Sequence, residues 1–192
     1  MVAQLLESGD LGDVQAVSAD LGMRFDFDPH SRLFDPALGG GALLDLGVYP
    51  AWFAHFVLGA PETVTATGTL TSTGVDAQST VILDYASGQQ ATVMSTLLVE
   101  TPQRATISGT AGRIEFARPF LAPSSFQLIS GDERLEWADT SGLSWGEGLC
   151  YEAAAVARHV ADGLTESPWH SLDDTLGIMA VLESARGQLG AR

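Results

Sequence analysis

GGGALLDLGVYPAWFAHFVLGAPETVTATGTLT, residues 39–71, changes its hydrophobic period part-way through. Up to Leu58 the apolar residues are too dense for a strand and run on for several helical turns, opened by three glycines and stopped by Gly59 and Pro61. From Thr63 the pattern is two: Val64, Ala66, Gly68 and Leu70 alternate with Thr63, Thr65, Thr67, Thr69 and Thr71. A helix thus hands over to a strand with one small apolar face and one threonine face.

The period of two persists downstream. Strands are predicted at Gln78 to Tyr85, Gln90 to Val99, Arg104 to Ser108, Arg113 to Phe116, Phe126 to Ser130 and Arg134 to Trp137. The breaks between them, Ser87-Gly88, Gly109-Thr110-Ala111-Gly112 and Gly131-Asp132, carry turn chemistry, and strands joined by short turns pair antiparallel. Upstream, residues 2–8 (VAQLLES) form the end of a helix that Gly9 terminates, followed by a strand from Val14 to Phe25 and a loop from Asp26 to Leu38. Two helices are predicted at the other end. Gly148 to Ala161 sets Ala153, Val156, Ala157 and Val160 on one stripe; the second is capped by Ser171 and runs to about Leu189. The fold class is α+β: a large, mainly antiparallel open sheet with helices on one face.

Composition narrows the function. Of 192 residues, 24 are acidic and 9 basic, a net charge of -15, and all nine cations are arginine. That charge repels nucleic-acid phosphates and anionic lipid, so neither is expected as a partner. Lysine chemistry supplied by these residues is excluded. Cys150 has no disulfide partner, and the four histidines, His30, His55, His159 and His170, share no metal-ligand spacing. No secretion signal opens the sequence and the longest apolar stretch is interrupted, so a cytoplasmic protein is expected.

At 100° per residue, Asp45, Tyr49, Trp52 and Phe56 fall on one side of the 41–58 helix. A carboxylate and a phenol one turn apart suit acid–base work on a substrate alcohol or carbonyl; they equally suit a buried hydrogen bond that only satisfies two polar groups. Arg32, before the glycines, and Arg24, at the end of the first strand, are candidate substrate contacts or solvated loop cations. Trp145 stacks on a substrate ring or packs a helix entrance. His55 reads as a packed or interface histidine, and the threonine face as a self-association surface or a solvated one. The triple glycine does not satisfy G-x-G-x-x-G, because position 44 is Leu44.

Residues 39–61 resemble the signature that opens the C-terminal domain of the Gfo/Idh/MocA oxidoreductases, on the branch of glucose-fructose oxidoreductase and dimeric dihydrodiol dehydrogenase. SGDLGDVQAVSADLGMRF (8–25), ISGTAGRIEF (107–116) and YEAAAVARHVADGLTESPWHSLDDTLGIMAVLESAR (151–186) agree in order and spacing. The resemblance implies that Asp45 and Tyr49 fill the family's D-x-G-x-Y/H motif, with Tyr49 exchanging the proton. It implies NAD or NADP as cofactor, a sugar, polyol, cyclitol or related diol as substrate, and a homodimer or higher homo-oligomer through the sheet. It further implies that residues 1–12 end a helix linking to an N-terminal dinucleotide-binding domain, and that 13–192 form the substrate and oligomerisation domain. The family's glycine fingerprint and its catalytic E-K-P lysine are not among these residues, so the sequence alone is expected to bind dinucleotide weakly and to be inactive. The competing expectation is a stand-alone binding or assembly module.

Overall fold

A computed structural model describes residues 1–121 and 125–192, the Trp145 side chain apart. Helix α1, Val2–Ser8, ends at Gly9, whose left-handed φ of 83° reverses the chain. The strands are β1 (Val14–Gly22), β2 (Thr63–Leu70), β3 (Asp76–Asp84), β4 (Gln90–Thr96), β5 (Ala105–Gly109), β6 (Arg113–Phe116), β7 (Ser125–Ser130) and β8 (Glu133–Ala138). Among the described residues they form one sheet in the order β2-β3-β4-β1-β5-β6-β7-β8. Every pair is antiparallel except β1 with β4, which is parallel because a helical crossover separates them in sequence.

Helix α2, Val48–Leu58, follows a π-helical turn, Leu43–Gly47. Alternation puts Val17, Ala19 and Leu21 of β1, Ala91 and Val93 of β4, and Ala105 and Ile107 of β5 on the face that this helix covers. Phe53 projects from α2 onto the rings of Phe116 and Phe120, at centroid distances of 5.1 and 5.6 Å. Burying a ring of that size contributes about 2–3 kcal/mol. The helical stretch Pro36–Leu58 is apolar and long enough, at 23 residues, to cross a membrane by composition. Half of its most apolar 18-residue window is buried in the domain, as in the core helix of a globular fold.

The opposite face is open. One line of paired residues crosses all eight strands on it: Thr65, Ile82, Thr92, Ser18, Thr106, Glu115, Gln127 and Glu136. It is uncharged over the first five strands and acidic towards β8.

Helix α4, Leu172–Leu189, buries Ile178, Val181, Leu182 and Ala185 against α2 and β2. Helix α3, Leu149–Ala161, carries the expected apolar stripe but buries no residue, and Val156 and Val160 are exposed. The periodicity marks an apolar side, and nothing within the described domain covers it. Smaller differences lie at strand ends. β1 stops at Gly22 rather than Phe25, and β4 at Thr96 rather than Val99, although Met23 and Phe25 still donate to the carbonyls of Thr96 and Leu97.

Candidate active site

The glycines earn their place through a residue that sequence reading left unremarked. Asp76, at the start of β3, is fully buried, and its Oδ2 accepts the backbone N–H of Leu43 at 2.7 Å. The carboxylate therefore caps the helical stretch that carries Asp45 and Tyr49, where orphan N–H groups favour negative charge. Burial raises the Asp76 pKa above the usual carboxylate value, offset in part by the N–H groups it accepts from. The signal available in the sequence was a single acid between two apolar residues, Val75 and Ala77.

From that cap the chain enters the π turn holding Asp45. Such turns widen a helix locally and often accompany functional sites. Asp45 is not spent on Tyr49: among the described residues its side chain pairs with Arg32, in a close charge-assisted hydrogen bond from the guanidinium Nη1 to Oδ1. The Arg32 pKa is raised, first by that hydrogen bond, then by the Asp45 charge, and to a smaller degree by Tyr49, so all three groups share one electrostatic neighbourhood.

Tyr49 is 43% exposed and has no hydrogen-bond partner among the described residues, so the alternative of a buried Asp–Tyr pair does not describe this helix. The ring instead lines a cleft of about 820 Å³. Val48, Trp52, Leu121, Leu149, Ile178 and Met179 make most of its wall, and Tyr49, Glu152, His170 and Thr175 supply the polar side chains. Trp52 stacks on Phe56 with centroids 5.6 Å apart, which fixes the indole at the cleft mouth. An apolar cleft with a few convergent polar groups is the ordinary form of a small-molecule site.

The remaining sequence candidates are placed as follows. Arg24 lies in the extended segment after β1 and pairs with Asp26 at 3.9 Å, both groups well exposed; the described contacts do not bring it to Asp45 or Tyr49. Trp145 begins a 3-10 turn, Trp145–Gly148, whose Gly146 and Gly148 line the Tyr49 cleft; its side chain lies outside the described residues. His55 is packed, with Nε2 3.1 Å from Asp174 Oδ1 and its ring against Gly177. Among the described residues no group of three or more His, Cys, Asp or Glu could hold a metal ion.

A dinucleotide diphosphate does not fit the glycine-led helix start. The Leu43 N–H is already donated to Asp76, and the space beside Gly41 is filled by the same carboxylate.

Residues 1–115 match the family model described as the GFO/IDH/MocA C-terminal domain. The chain belongs to the GFO/IDH/MocA family. A relative in this family, the trans-1,2-dihydrobenzene-1,2-diol dehydrogenase of Xenopus tropicalis, is 36% identical over 98% of the chain and 58% of its own length. The chain thus spans little more than half of the curated relatives it matches. Among solved structures, the aldose-aldose oxidoreductase of Caulobacter crescentus, complexed with glycerol, superposes with a TM-score of 0.81 at 22% identity, covering 97% of the chain and 56% of that protein. A 3-ketoreductase of Actinomadura kijaniata in complex with NADP gives 0.72 at 22% identity, over 97% of the chain and 56% of its own. These two similarities establish the GFO/IDH/MocA fold of the C-terminal domain.

Proposed function

We propose that these residues form the substrate-binding and oligomerisation part of an NAD- or NADP-dependent oxidoreductase acting on a sugar, polyol, cyclitol or related diol, with Tyr49 as its general acid and base. The observation that carries this reading is the state of Tyr49. Among the described residues its hydroxyl makes no hydrogen bond to Asp45, the residue is 43% exposed, and its ring lines a large apolar cleft. In the reducing direction Tyr49 donates its proton to the substrate carbonyl oxygen, and in the oxidising direction it accepts the hydroxyl proton. Asp45, one turn before Tyr49, is held by Arg32. The nicotinamide nucleotide supplies hydride exchange in this reading, and the polypeptide that binds it lies outside these 192 residues.

The open sheet supports the oligomerisation half. Thr65, Ile82, Thr92 and Ser18 give it an uncharged surface with an exposed aliphatic side chain, in a protein otherwise carrying a charge of -15.

The test is Tyr49→Phe in the protein joined to its dinucleotide-binding segment. Turnover should fall by about 100-fold or more while cofactor affinity stays within about twofold of the parent. Full activity in that variant would overturn the role given to Tyr49. Micromolar binding of NAD(H) or NADP(H) by residues 1–192 alone would overturn the assignment of the nucleotide site to other polypeptide.

A further inference from the structure

Asp45 lies one helical turn before Tyr49, and its side chain is 18% exposed. Two groups that both ionise to anions oppose each other at that spacing, and a carboxylate shielded from water has little solvent to damp the effect. Left bare, Asp45 would hold the proton on Tyr49 and hinder the basic form that the oxidising direction requires. The cleft offers no remedy. Among the described residues that line it with Tyr49, Glu152 of α3 is acidic, His170 ahead of α4 is titratable, and none is arginine or lysine. Further along α2, His55 is paired with Asp174 of α4.

Arg32 brings a cation to this place, and its loop is folded so as to keep it there. The Ser31 carbonyl accepts the N–H groups of Phe34 and Asp35, closing a turn around Arg32, and the buried Leu33 and Phe34 anchor that turn. The chain then doubles back. The Gly40 N–H donates to the Asp35 carbonyl at 3.0 Å, and the Gly41 N–H to the Leu33 carbonyl at 2.9 Å. A Cβ at Gly40 would lie 2.9 Å from the carbonyl oxygens of both Asp35 and Leu33, so the fold-back needs glycine there. The result sets the guanidinium against Asp45, with Nη1 donating to Oδ1. Its positive charge is favoured first by Asp45 and to a smaller degree by Tyr49. Because a guanidinium stays protonated, the pair is neutral wherever Asp45 is ionised.

We propose that Arg32 is a positioning residue whose cation cancels the charge of Asp45, so that Tyr49 can release its proton and act as a base. The proposal rests on the Tyr49 reading above. It gives Arg32 a duty distinct from substrate contact, since the guanidinium acts on the Tyr49 proton through Asp45. In a chain with nine cations against 24 acids, the placing of one arginine then decides the local charge at the reacting group.

Three variants of the complete enzyme test this: Arg32→Gln, Arg32→Lys, and Arg32→Gln combined with Asp45→Asn. The Arg32 side chain is 71% exposed, so its truncation opens no cavity. The measurement is the position of the pH profile of kcat/KM for alcohol oxidation, and not its height, which also records any other duty of Asp45. In Arg32→Gln the half-maximal pH should rise by about 0.5–1 unit. Arg32→Lys keeps a cation and should stay near the parent, and the double variant, with both charges gone, should return towards it. An unmoved profile in Arg32→Gln, or a double variant that stays shifted, overturns the inference and leaves the oxidoreductase reading standing. A raised KM at every pH with an unmoved profile marks Arg32 as a substrate contact and overturns it as well. If no alcohol is oxidised with NAD or NADP, it is the oxidoreductase reading that fails, and the charge compensation is judged without turnover. The ring signal of Tyr49 in 13C-tyrosine-labelled protein, assigned by its loss in Tyr49→Phe, should titrate at higher pH in Arg32→Gln than in the parent and return in the double variant. The same titration in all three overturns the inference.

Discussion

Asp76 fills the space a side chain at Gly41 would need: a Cβ built there would lie 2.2 Å from Oδ1 of Asp76. Gly41 also has a φ of 120°, a conformation that side-chain-bearing residues rarely adopt. The two constraints reinforce each other, since Asp76 cannot retreat without releasing the Leu43 N–H. Gly41→Ala should therefore destabilise the domain by roughly 3 kcal/mol, combining backbone strain with overpacking. Gly39→Ala is the control. Its φ of 73° carries the strain alone, with the nearest atom 4.0 Å away, and should cost about 1 kcal/mol. Urea unfolding midpoints of the two variants test the difference.

The buried Asp76 carboxyl also makes stability depend on pH. Burial raises its folded-state pKa above the ordinary 3.8, so the folded protein binds a proton more tightly than the unfolded chain does. The contribution of this group is complete below 3.8 and is lost as pH rises through the raised folded value. Asp76→Asn keeps an oxygen for the Leu43 N–H but does not titrate. The stability of the parent relative to Asp76→Asn should decline as pH increases from 4. A constant difference between the two across that range would show that Asp76 does not hold its proton in the folded state.

How much of this was legible in the sequence depends on range. The threonine alternation from Thr63 to Thr71 and the apolar run into Leu58 are local patterns, and both became the elements they predicted. The insertion of β1 between β4 and β5 is not local; no period records which strands become neighbours. Asp76 drew no reading from the sequence, because its burial depends on packing against residues more than thirty positions earlier. Arg32 stood out as a charged loop residue, but its partner Asp45 is set by how the loop folds back, not by spacing. The stripe on α3 was legible as apolar; its exposure could not be, because a hydrophobic period says nothing about what covers it.

Asp174 gives the opposite pH dependence to Asp76. The Ser171 hydroxyl, the Ser171 backbone N–H and His55 hold its pKa below the ordinary 3.8. A depressed folded value means that its contribution is present above 3.8 and is lost as pH falls below it. Asp174→Asn should flatten the acid side of the stability profile below pH 4 and leave the slope above that pH unchanged. Thermal unfolding across acidic buffers provides the measurement, and a parent-like acid slope in the variant would rule out Asp174 as its source.

Gln188 behaves as a substitute strand. Its Oε1 accepts from the Ala66 N–H and its Nε2 donates to the Val64 carbonyl, both at 2.8 Å, satisfying the outward groups of β2 at the edge of the sheet. Unpaired edges of this kind are templates for further strands, and natural proteins cover or charge them. Gln188→Leu removes both bonds and should cost about 1–2 kcal/mol, since the freed groups can still reach water. The larger consequence is association: with Val64 and Ala66 uncovered, β2 offers a free ladder bordered by small apolar residues. Light scattering should show concentration-dependent self-association in Gln188→Leu at temperatures where both forms stay folded. Gln188→Glu separates the two effects. It keeps the acceptor for Ala66 but not the donor for Val64, and its charge opposes pairing, so it should lose stability without gaining association.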